Sequence, residues 1–410
     1  MTVAIIGSGI SGVVLALRLQ QLGVEATLFS DRRPDEIRAG RLPNTVGRFD
    51  HTLRREAALG IDHWPLEDSA VPCIHFSAGP PLSVSFLAWP DAPLSAVDFR
   101  VLLPRWIEDF AERGGEVVIA PTPTDVEGIA SLAAGFDLAV VAVGRASVPS
   151  LFPVDRSRSP YTEPQRLIFA GLFDGLAFPD PLGVSFTISP GAGEVFQMPF
   201  LTAEGRSTNI LMDAVPGGPL AEVVTHPTED PAFASRMADA LRAHAPDVAE
   251  RIDPARFRLR GPLDSIQGAI TPAVRRAYAT LPNGTPALAI GDAWITNDPL
   301  TAQGANLGSH CAWVAADHIA AGGPFDAGFG TRVEQSMWEF AGPVCAFTNG
   351  FLQPPPPHVV RLMTAAGEHQ VVANAFASGF GDPVRTAALL GDPEATQAFL
   401  DSLPTATTAR

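Results

Sequence analysis

The stretch Val3-Ala4-Ile5-Ile6-Gly7-Ser8-Gly9-Ile10-Ser11-Gly12-Val13-Val14-Leu15 opens the chain and decides its fold. A continuous apolar run rich in β-branched residues reads as a strand buried on both faces of a parallel sheet. Gly7 follows at once, and apolar residues then recur at helical spacing as far as Gln21. Gly23 ends that helix, and Val24-Glu25-Ala26-Thr27-Leu28-Phe29 reads as a second strand, completing one βαβ unit. In such a unit the first glycine permits a tight turn, the second lets the backbone approach a pyrophosphate, and the third lets helix pack on strand. The helix start adds unpaired N–H groups and a positive dipole end. Gly7, Gly9, Ile10, Ser11 and Gly12 are therefore expected to cradle the pyrophosphate of a dinucleotide.

Working outward, 410 residues are too many for one small core, and two closely associated domains are expected. The net charge of −16 argues against nucleic acid and anionic membrane surfaces as partners. Cys73, Cys311 and Cys345 are far apart and lack metal-ligand spacing, so they read as reduced, mostly buried thiols of a cytoplasmic protein with no metal site. The apolar N-terminus lacks a basic n-region, and no run of about 18 apolar residues appears later, so no membrane span is expected.

A helix is expected over residues 99–113, closed by Gly114-Gly115, followed by strands over 116–120 and 136–144. Between 151 and 280 short alternating stretches with Gly/Pro turns predict an antiparallel sheet, interrupted by one helix near 231–243. Residues 287–291 return to a buried-strand pattern and 304–321 read as a long helix. Residues 331–353 and 358–402 look helical, with Pro354-Pro355-Pro356-Pro357 as a stiff connector between them.

The late Gly291-Asp292, at the end of a buried strand, is the second landmark. An aspartate there can accept hydrogen bonds from ribityl hydroxyls, and the Gly304-Ala305-Asn306 turn can bring backbone N–H groups to the electron-rich edge of a flavin. A nicotinamide domain has no use for a late Gly-Asp, so the two landmarks together specify FAD. The acidic residue expected about 20 positions after the glycines, for the ribose, falls on Ser30; Asp31 comes one residue late, followed by Arg32. Either Asp31 still reaches the ribose or the adenosine end is held loosely. Arg100, in Asp98-Phe99-Arg100 at a helix start, is a candidate bridge to the pyrophosphate. Gly144 closes the strand at 136–144, where Gly144-Arg145 stands in place of the Asp-Gly of single-component hydroxylases.

These landmarks, in this order, resemble those of the para-hydroxybenzoate-hydroxylase-like flavoprotein monooxygenases, and most of all the styrene and indole monooxygenases. The resemblance is carried by Asp31-Arg32-Arg33-Pro34-Asp35-Glu36, Asn44-Thr45-Val46, Ala96-Val97-Asp98-Phe99-Arg100, Ser189-Pro190-Gly191-Ala192-Gly193-Glu194, residues 249–255, Ile266-Gln267-Gly268 and residues 298–306, but not by the last hundred residues. It implies an α/β fold: a Rossmann-like FAD-binding domain of the GR2 type, an antiparallel-sheet substrate domain, and C-terminal helices. The implied division is 1–46, 95–150 and 281–330 for the FAD domain, 47–94 and 151–280 for the substrate domain, and 331–410 for the helical region.

The resemblance also implies a two-component epoxidase. Such an enzyme takes reduced FAD from a separate NADH-dependent flavin reductase and forms a C4a-(hydro)peroxyflavin with O2. It then passes one oxygen atom to a small aromatic alkene such as styrene or indole, or to an aryl sulfide. A missing glutamate at Ser30 agrees with a flavin that must be exchanged. The chain departs from the family where substrate is chosen, with Arg48 at a histidine position and Leu94 at a serine position, while Asn44 and Val46 are retained.

The peroxyflavin oxygen is electrophilic and needs no enzymatic nucleophile, so the protein must hold substrate and exclude water. The oxygen-transfer pocket is expected between Asn44, Thr45 and Val46, the alternating Phe196, Met198 and Phe200, and the loop from Pro299 and Leu300 to Gln303 and Gly304. Asn44 is placed to orient peroxide or substrate, with Gln303 and Gly304 backbone against the flavin ring. His310 is expected to be structural. A single-component NAD(P)H-dependent aromatic hydroxylase, a halogenase and a non-catalytic flavin-binding protein are the alternatives; the halogenase would need a catalytic lysine, and the chain has none. Either a monomer or a homodimer fits.

Overall fold

The computed structural model describes residues 1–80, 82–144 and 151–403. The opening residues form β1 (Thr2–Ile6), α1 (Ile10–Gln21) and β2 (Glu25–Ser30). Val3, Ala4 and Ile5 are wholly buried, as a strand covered on both faces requires. β1 pairs in parallel with β2 on one side and with Leu138–Val141 on the other. The full six-stranded order is Tyr278–Thr280, Pro286–Ala289, Leu138–Val141, β1, β2, Glu116–Ile119. Only Tyr278–Thr280, at the edge, runs antiparallel. The chain leaves β1 first toward β2 and later returns on the opposite side, so a switch point lies at the C-terminal end of β1, where the glycine turn begins. Open α/β sheets bind ligands at such points.

The second sheet has eight strands and is mixed. Leu167–Asp174, Gly205–Ala214, Gly193–Thr202 and Val184–Ser189 form an antiparallel run, as expected. Val184–Ser189, however, pairs in parallel with Ile74–Ala78. The purely antiparallel expectation fails there because these two strands are not joined by a hairpin. The chain between them passes through the first sheet, a crossover long enough for parallel pairing. Three short strands, Gly47–Arg48, Leu94–Ala96 and Ala70–Val71, form a small sheet of their own.

The C-terminal region packs its helices on the larger sheet. Ala327–Phe351 is one long helix, and the stretch beyond breaks into Pro357–Glu368, Gln370–Gly381, Pro383–Gly391 and Pro393–Asp401. Two of these breaks carried a sequence signal: Asp382 and Asp392 cap the helices that Pro383 and Pro393 begin. Pro357 likewise starts a helix, leaving Pro354, Pro355 and Pro356 outside. Phe76, Phe186, Phe347, Phe376 and Phe380 share the core between these helices and the sheet. No helix of the described residues is long and apolar enough to cross a membrane, and the three cysteines are free and buried.

The small sheet is held by a buried charge pair. Arg48, 2% exposed, is ion-paired to the equally buried Glu56 and donates to Ser95 Oγ at 2.9 Å. Removing one member of such a pair strands the other charge in the interior. Arg48→Ala is therefore expected to cost about 3–5 kcal/mol, while Arg48→Met combined with Glu56→Leu recovers most of the loss. Denaturant unfolding of the single and double variants checks this; equal stability of wild type and Arg48→Ala would contradict it.

Candidate functional site

The glycine turn is shaped by close approaches that only glycine permits. Gly7 has φ of +114° and donates its N–H to the Phe29 carbonyl at 3.0 Å, and a Cβ there would lie 2.7 Å from the Ala142 carbonyl. A Cβ at Gly12 would overlap the Gly7 carbonyl oxygen, so no larger residue lets α1 start this near the strand. Gly9 differs: a Cβ would meet nothing within 4 Å. It caps α1 with no side-chain hydrogen bond and no acidic residue in the first turn. The helix start thus faces open space with its positive end unneutralised, as a pyrophosphate requires.

Ser11 brings distant motifs together. Its Oγ lies 2.5 Å from where a Cβ of Gly291 would sit, and a Cβ at Gly308 would overlap it. Gly291, at φ +58°, opens the turn Gly291–Ala293, with the exposed Asp292 beside it. Asp292 is thereby placed at the same sheet edge as the glycine turn. Gly308 escaped the sequence reading, since an isolated glycine inside a helix carries no motif.

The adenosine side is built differently from the expectation. Ser30 is buried, and its hydroxyl bonds Ser8 Oγ at 2.7 Å and the Arg32 carbonyl at 2.7 Å. Asp31 and Arg32 are exposed and lie 3.5 Å apart. Gly144 is exposed beyond the end of Leu138–Val141, and Arg145 lies outside the described residues. Arg100 does not offer a free guanidinium to the glycine turn. Asp98 Oδ2 takes its Nε and Nη2 hydrogens at 2.9 and 2.7 Å, and Asp264 Oδ1 lies 2.8 Å from Nη1. With two carboxylates on one guanidinium, Arg100 ties its helix to residue 264 instead.

The loop before the helix Gln303–Ala320 is fixed from several sides. Asp298 Oδ1 accepts the Leu300 N–H at 3.2 Å, Thr301 Oγ1 and Thr348 Oγ1 are 2.6 Å apart, and Gln303 Nε2 donates to the Phe380 carbonyl at 2.8 Å. Ala302 adopts the left-handed conformation, φ +55°, and the helix begins without a side-chain cap. Above Gly304 a Cβ would meet nothing within 4 Å. The Asn306 side chain is fully used inside the protein: Oδ1 accepts from Phe49 N and Thr52 Oγ1, and Nδ2 donates to the Gly47 and Ala302 carbonyls. Any contact of Asn306 with a ligand must therefore come from the backbone, whereas Gln303 keeps an unpartnered Oε1 among the described residues.

Beside this loop lies a cavity of about 250 Å³. Thr45, Leu94, Phe196, Met198, Pro299 and Leu300 line it, together with Phe186, Asn209 and Phe380, which the sequence did not single out. Arg48 does not reach it. On the strand Gly47–Arg48 it is Gly47 that lines the cavity, and alternation turns Arg48 away toward Glu56. Phe200 also lies off the wall. Four residues beyond Phe196 it is about 13 Å further along the strand, wholly buried in the core. Asn44 Oδ1 and Asn209 Oδ1 are buried without hydrogen-bond partners among the described residues, Asn209 on the cavity wall. His310 stacks on Phe340 at 4.2 Å and bonds Arg55 at 2.7 Å, and burial with the Arg55 charge pushes its pKa down to about 3. It is packed as a neutral ring.

Behind the loop, Arg166 and Glu194 form a buried ion pair at 2.7 Å. Asp213 and Asp298 complete a group of three carboxyls facing one cation. Burial pushes Asp298 up to about 6, and burial followed by the Asp298 and Glu194 charges pushes Asp213 well above the usual carboxylate range. Both Asp213 oxygens and Asp298 Oδ2 lack hydrogen-bond partners among the described residues, as expected of carboxyls that retain a proton.

The chain is 34% identical to styrene monooxygenase StyA of Pseudomonas fluorescens over 400 residues, covering 96% of this chain and 95% of that protein. It is also 34% identical over 402 residues to a StyA of a Pseudomonas species, with the same coverage. Residues 144–251 match the family model described as "Styrene monooxygenase A putative substrate binding domain". Among solved structures, a triple mutant of the flavin-dependent brominase Bmp2 superposes with a TM-score of 0.69 at 15% identity, over 98% of this chain and 99% of that one. A flavoprotein/dehydrogenase from Cytophaga hutchinsonii gives 0.64 at 14% identity, over 98% and 100%. At such identities these structures speak for the fold alone.

Two outcomes follow from this geometry. Gly9→Val should fold with nearly unchanged thermal stability, yet bind reduced FAD at least tenfold more weakly, ~1.4 kcal/mol or more, because the side chain fills the space left for the pyrophosphate. Calorimetric titration measures this, and unchanged affinity would contradict it. The second concerns pH. A carboxyl whose folded pKa is raised stabilises the fold below its ordinary value and loses that contribution as pH rises through the folded value, here between about 4 and about 6 for Asp298. Asp213→Asn removes a carboxyl that burial holds well above its usual range, so its melting temperature relative to wild type should rise by a few degrees between pH 5 and pH 8. A pH-independent difference would contradict it. By sequence and by fold, the chain belongs to the styrene monooxygenase StyA family of flavin-dependent monooxygenases.

Proposed function

We propose that the chain is the oxygenase of a two-component system, receiving reduced FAD from a separate NADH-dependent flavin reductase. With O2 it transfers one oxygen atom to a small aromatic alkene such as styrene or indole, and to the sulfur of aryl sulfides. The observation that carries this reading is the 250 Å³ cavity, walled by Leu94, Phe186, Phe196, Met198 and Leu300 and adjoining the Pro299–Thr301 loop. It lies below the roughly 300–1,000 Å³ typical of pockets for drug-sized ligands, which favours a small apolar molecule.

The residues present fit FAD: open space above Gly9, a start of α1 free of acidic groups, and an unpartnered acceptor at Asn44 support it. In this reading residues 1–46, 95–150 and 281–330 hold the cofactor, and 47–94 with 151–280 hold the substrate. The N–H groups of Gly9, Ile10, Ser11 and Gly12 bind the pyrophosphate, and Asp292 accepts from the ribityl chain. Asp31 and Arg32 lie at the adenosine end. Backbone N–H groups of Gly304, Ala305 and Asn306 face the ring edge. Bound and reduced, the flavin supplies the two electrons that turn O2 into an electrophilic oxygen donor.

The protein's own part is to place the substrate and keep water out. Phe186, Phe196 and Met198 fix an aromatic ring by packing and ring–ring contact. Asn44, next to the lining residue Thr45, offers an unpartnered acceptor for the peroxide or the substrate, and the loop fixed by Thr348 and Phe380 borders the cavity.

Photoreduced FAD and O2 without NAD(P)H, mixed with the chain and styrene, indole or thioanisole, should yield epoxide, indigo-forming product or sulfoxide. Rapid NADPH oxidation by the chain alone would instead show a single-component hydroxylase. Reoxidation of FAD with no oxygenated product from any of the three would show a flavin-binding protein without this activity.

A further inference from the structure

A second cavity of about 980 Å³, nearly four times the first, lies between the larger sheet and the C-terminal helices. Ile188, Phe347, Phe351, Val359, Met363 and Phe376 give it an apolar wall. Protein interiors pack at crystal-like density, and an empty space of this size next to phenylalanine rings forfeits dispersion contacts that a ligand would restore.

Aromatic rings from the two linings meet between the cavities. Phe380 and Phe186 line the smaller one, while Phe347, Phe351 and Phe376 line the larger. Phe380 lies 5.4 Å from Phe347, 5.4 Å from Phe376 and 5.9 Å from Phe351, and Phe186 lies 6.3 Å from Phe351. Between the cavities the partition is thus two rings deep, one ring facing each side. Phe351 is half-buried and is the last residue of the helix Ala327–Phe351, where the backbone restrains a side chain least.

Charged groups border both cavities: the exposed Asp91 and Asp382 line the smaller one, and the exposed Glu163 with the Arg166–Glu194 ion pair lines the larger. An apolar molecule gains by leaving water for the apolar wall of the larger cavity. We propose that the larger cavity is an antechamber that binds the small aromatic substrate and passes it to the smaller cavity between the rings of Phe351 and Phe380. The role of the smaller cavity rests on the oxygenase reading above. Entry from the helical side requires no movement of the loop at Pro299–Thr301, which Thr348 and the Phe380 carbonyl hold in place.

Ala346 and Gly350 also line the antechamber, one helical turn apart. Ala346 is exposed and a Cβ at Gly350 meets nothing within 4 Å, so Ala346→Trp and Gly350→Phe fill the space without displacing core. Calorimetric titration of the flavin-free full chain with ethylbenzene, an unreactive stand-in for styrene, should show more than one molecule bound per wild-type chain and one fewer in each variant. With photoreduced FAD, O2 and styrene, each variant should raise KM severalfold and leave kcat within about twofold, since the reacting residues are untouched. A single ethylbenzene per wild-type chain overturns the antechamber whatever the variants do. So does an unchanged KM in folded variants. If wild type forms no oxygenated product while the variants still lose one bound ethylbenzene, the antechamber stands as a binding site and the oxygenase reading falls.

Discussion

Around the hydroxyl of Ser11, three stretches of backbone meet that are remote in the chain: the start of α1, the turn at Gly291 and the helix at Gly308. Their approach is possible because two of the three positions have no Cβ, and Gly12 and Gly7 repeat the arrangement one step away. The rest of the site depends on this steric constraint. It brings the N-terminus of α1 to the edge of the first sheet and Asp292 to the same edge. It also sets the direction in which the helix Gln303–Ala320 leaves, and with it the loop that borders the cavity. A single methyl group at Gly12 or Gly308 would push these elements apart, and the cradle would lose its shape before losing any chemical group.

Electrostatics finish what packing begins. The positive end of α1 is left without acidic neighbours in its first turn, which favours an anion there. Two arginines that the sequence offered to ligands are engaged elsewhere: Arg100 by Asp98 and Asp264, and Arg48 by Glu56. Behind the loop the balance is reversed, with Arg166 facing Glu194, Asp213 and Asp298. Burial there works against ionisation of the two aspartates, while Glu194 pairs with the arginine. The loop that borders the cavity is thus anchored on one side by hydrogen bonds to Thr348 and Phe380, and on the other by Asp298, whose Oδ1 accepts the Leu300 N–H.

The C-terminal helices have a larger part than their unmarked sequence implied. They close a face of the mixed sheet, and their phenylalanines stand between two cavities of different size. Aromatic rings suit that position because they pack tightly edge to face yet turn as rigid plates.

What the sequence determined by itself was whatever obeys a short-range rule. The period of the apolar residues specified β1, α1 and β2; glycines at 7, 9 and 12 specified the turn; a late Gly-Asp after a strand marked the second edge. Strand alternation likewise placed Phe196 and Met198 on one face. Tertiary structure alone decided where long-range partners compete. Arg48 and Arg100 each look available in sequence, and each is claimed by carboxylates that lie 8 and 164 residues away, or next to it in space through a helix cap. Phe200 obeys the same alternation as Phe196 and still misses the cavity, because a strand outruns a pocket of limited length. The parallel pairing of Ile74–Ala78, the packing of Gly308 on Ser11 and the second cavity likewise left no local trace. The physical reason is common to all of them: propensity and periodicity act over a few residues, whereas burial, charge pairing and empty space are properties of surfaces brought together only when the chain has folded.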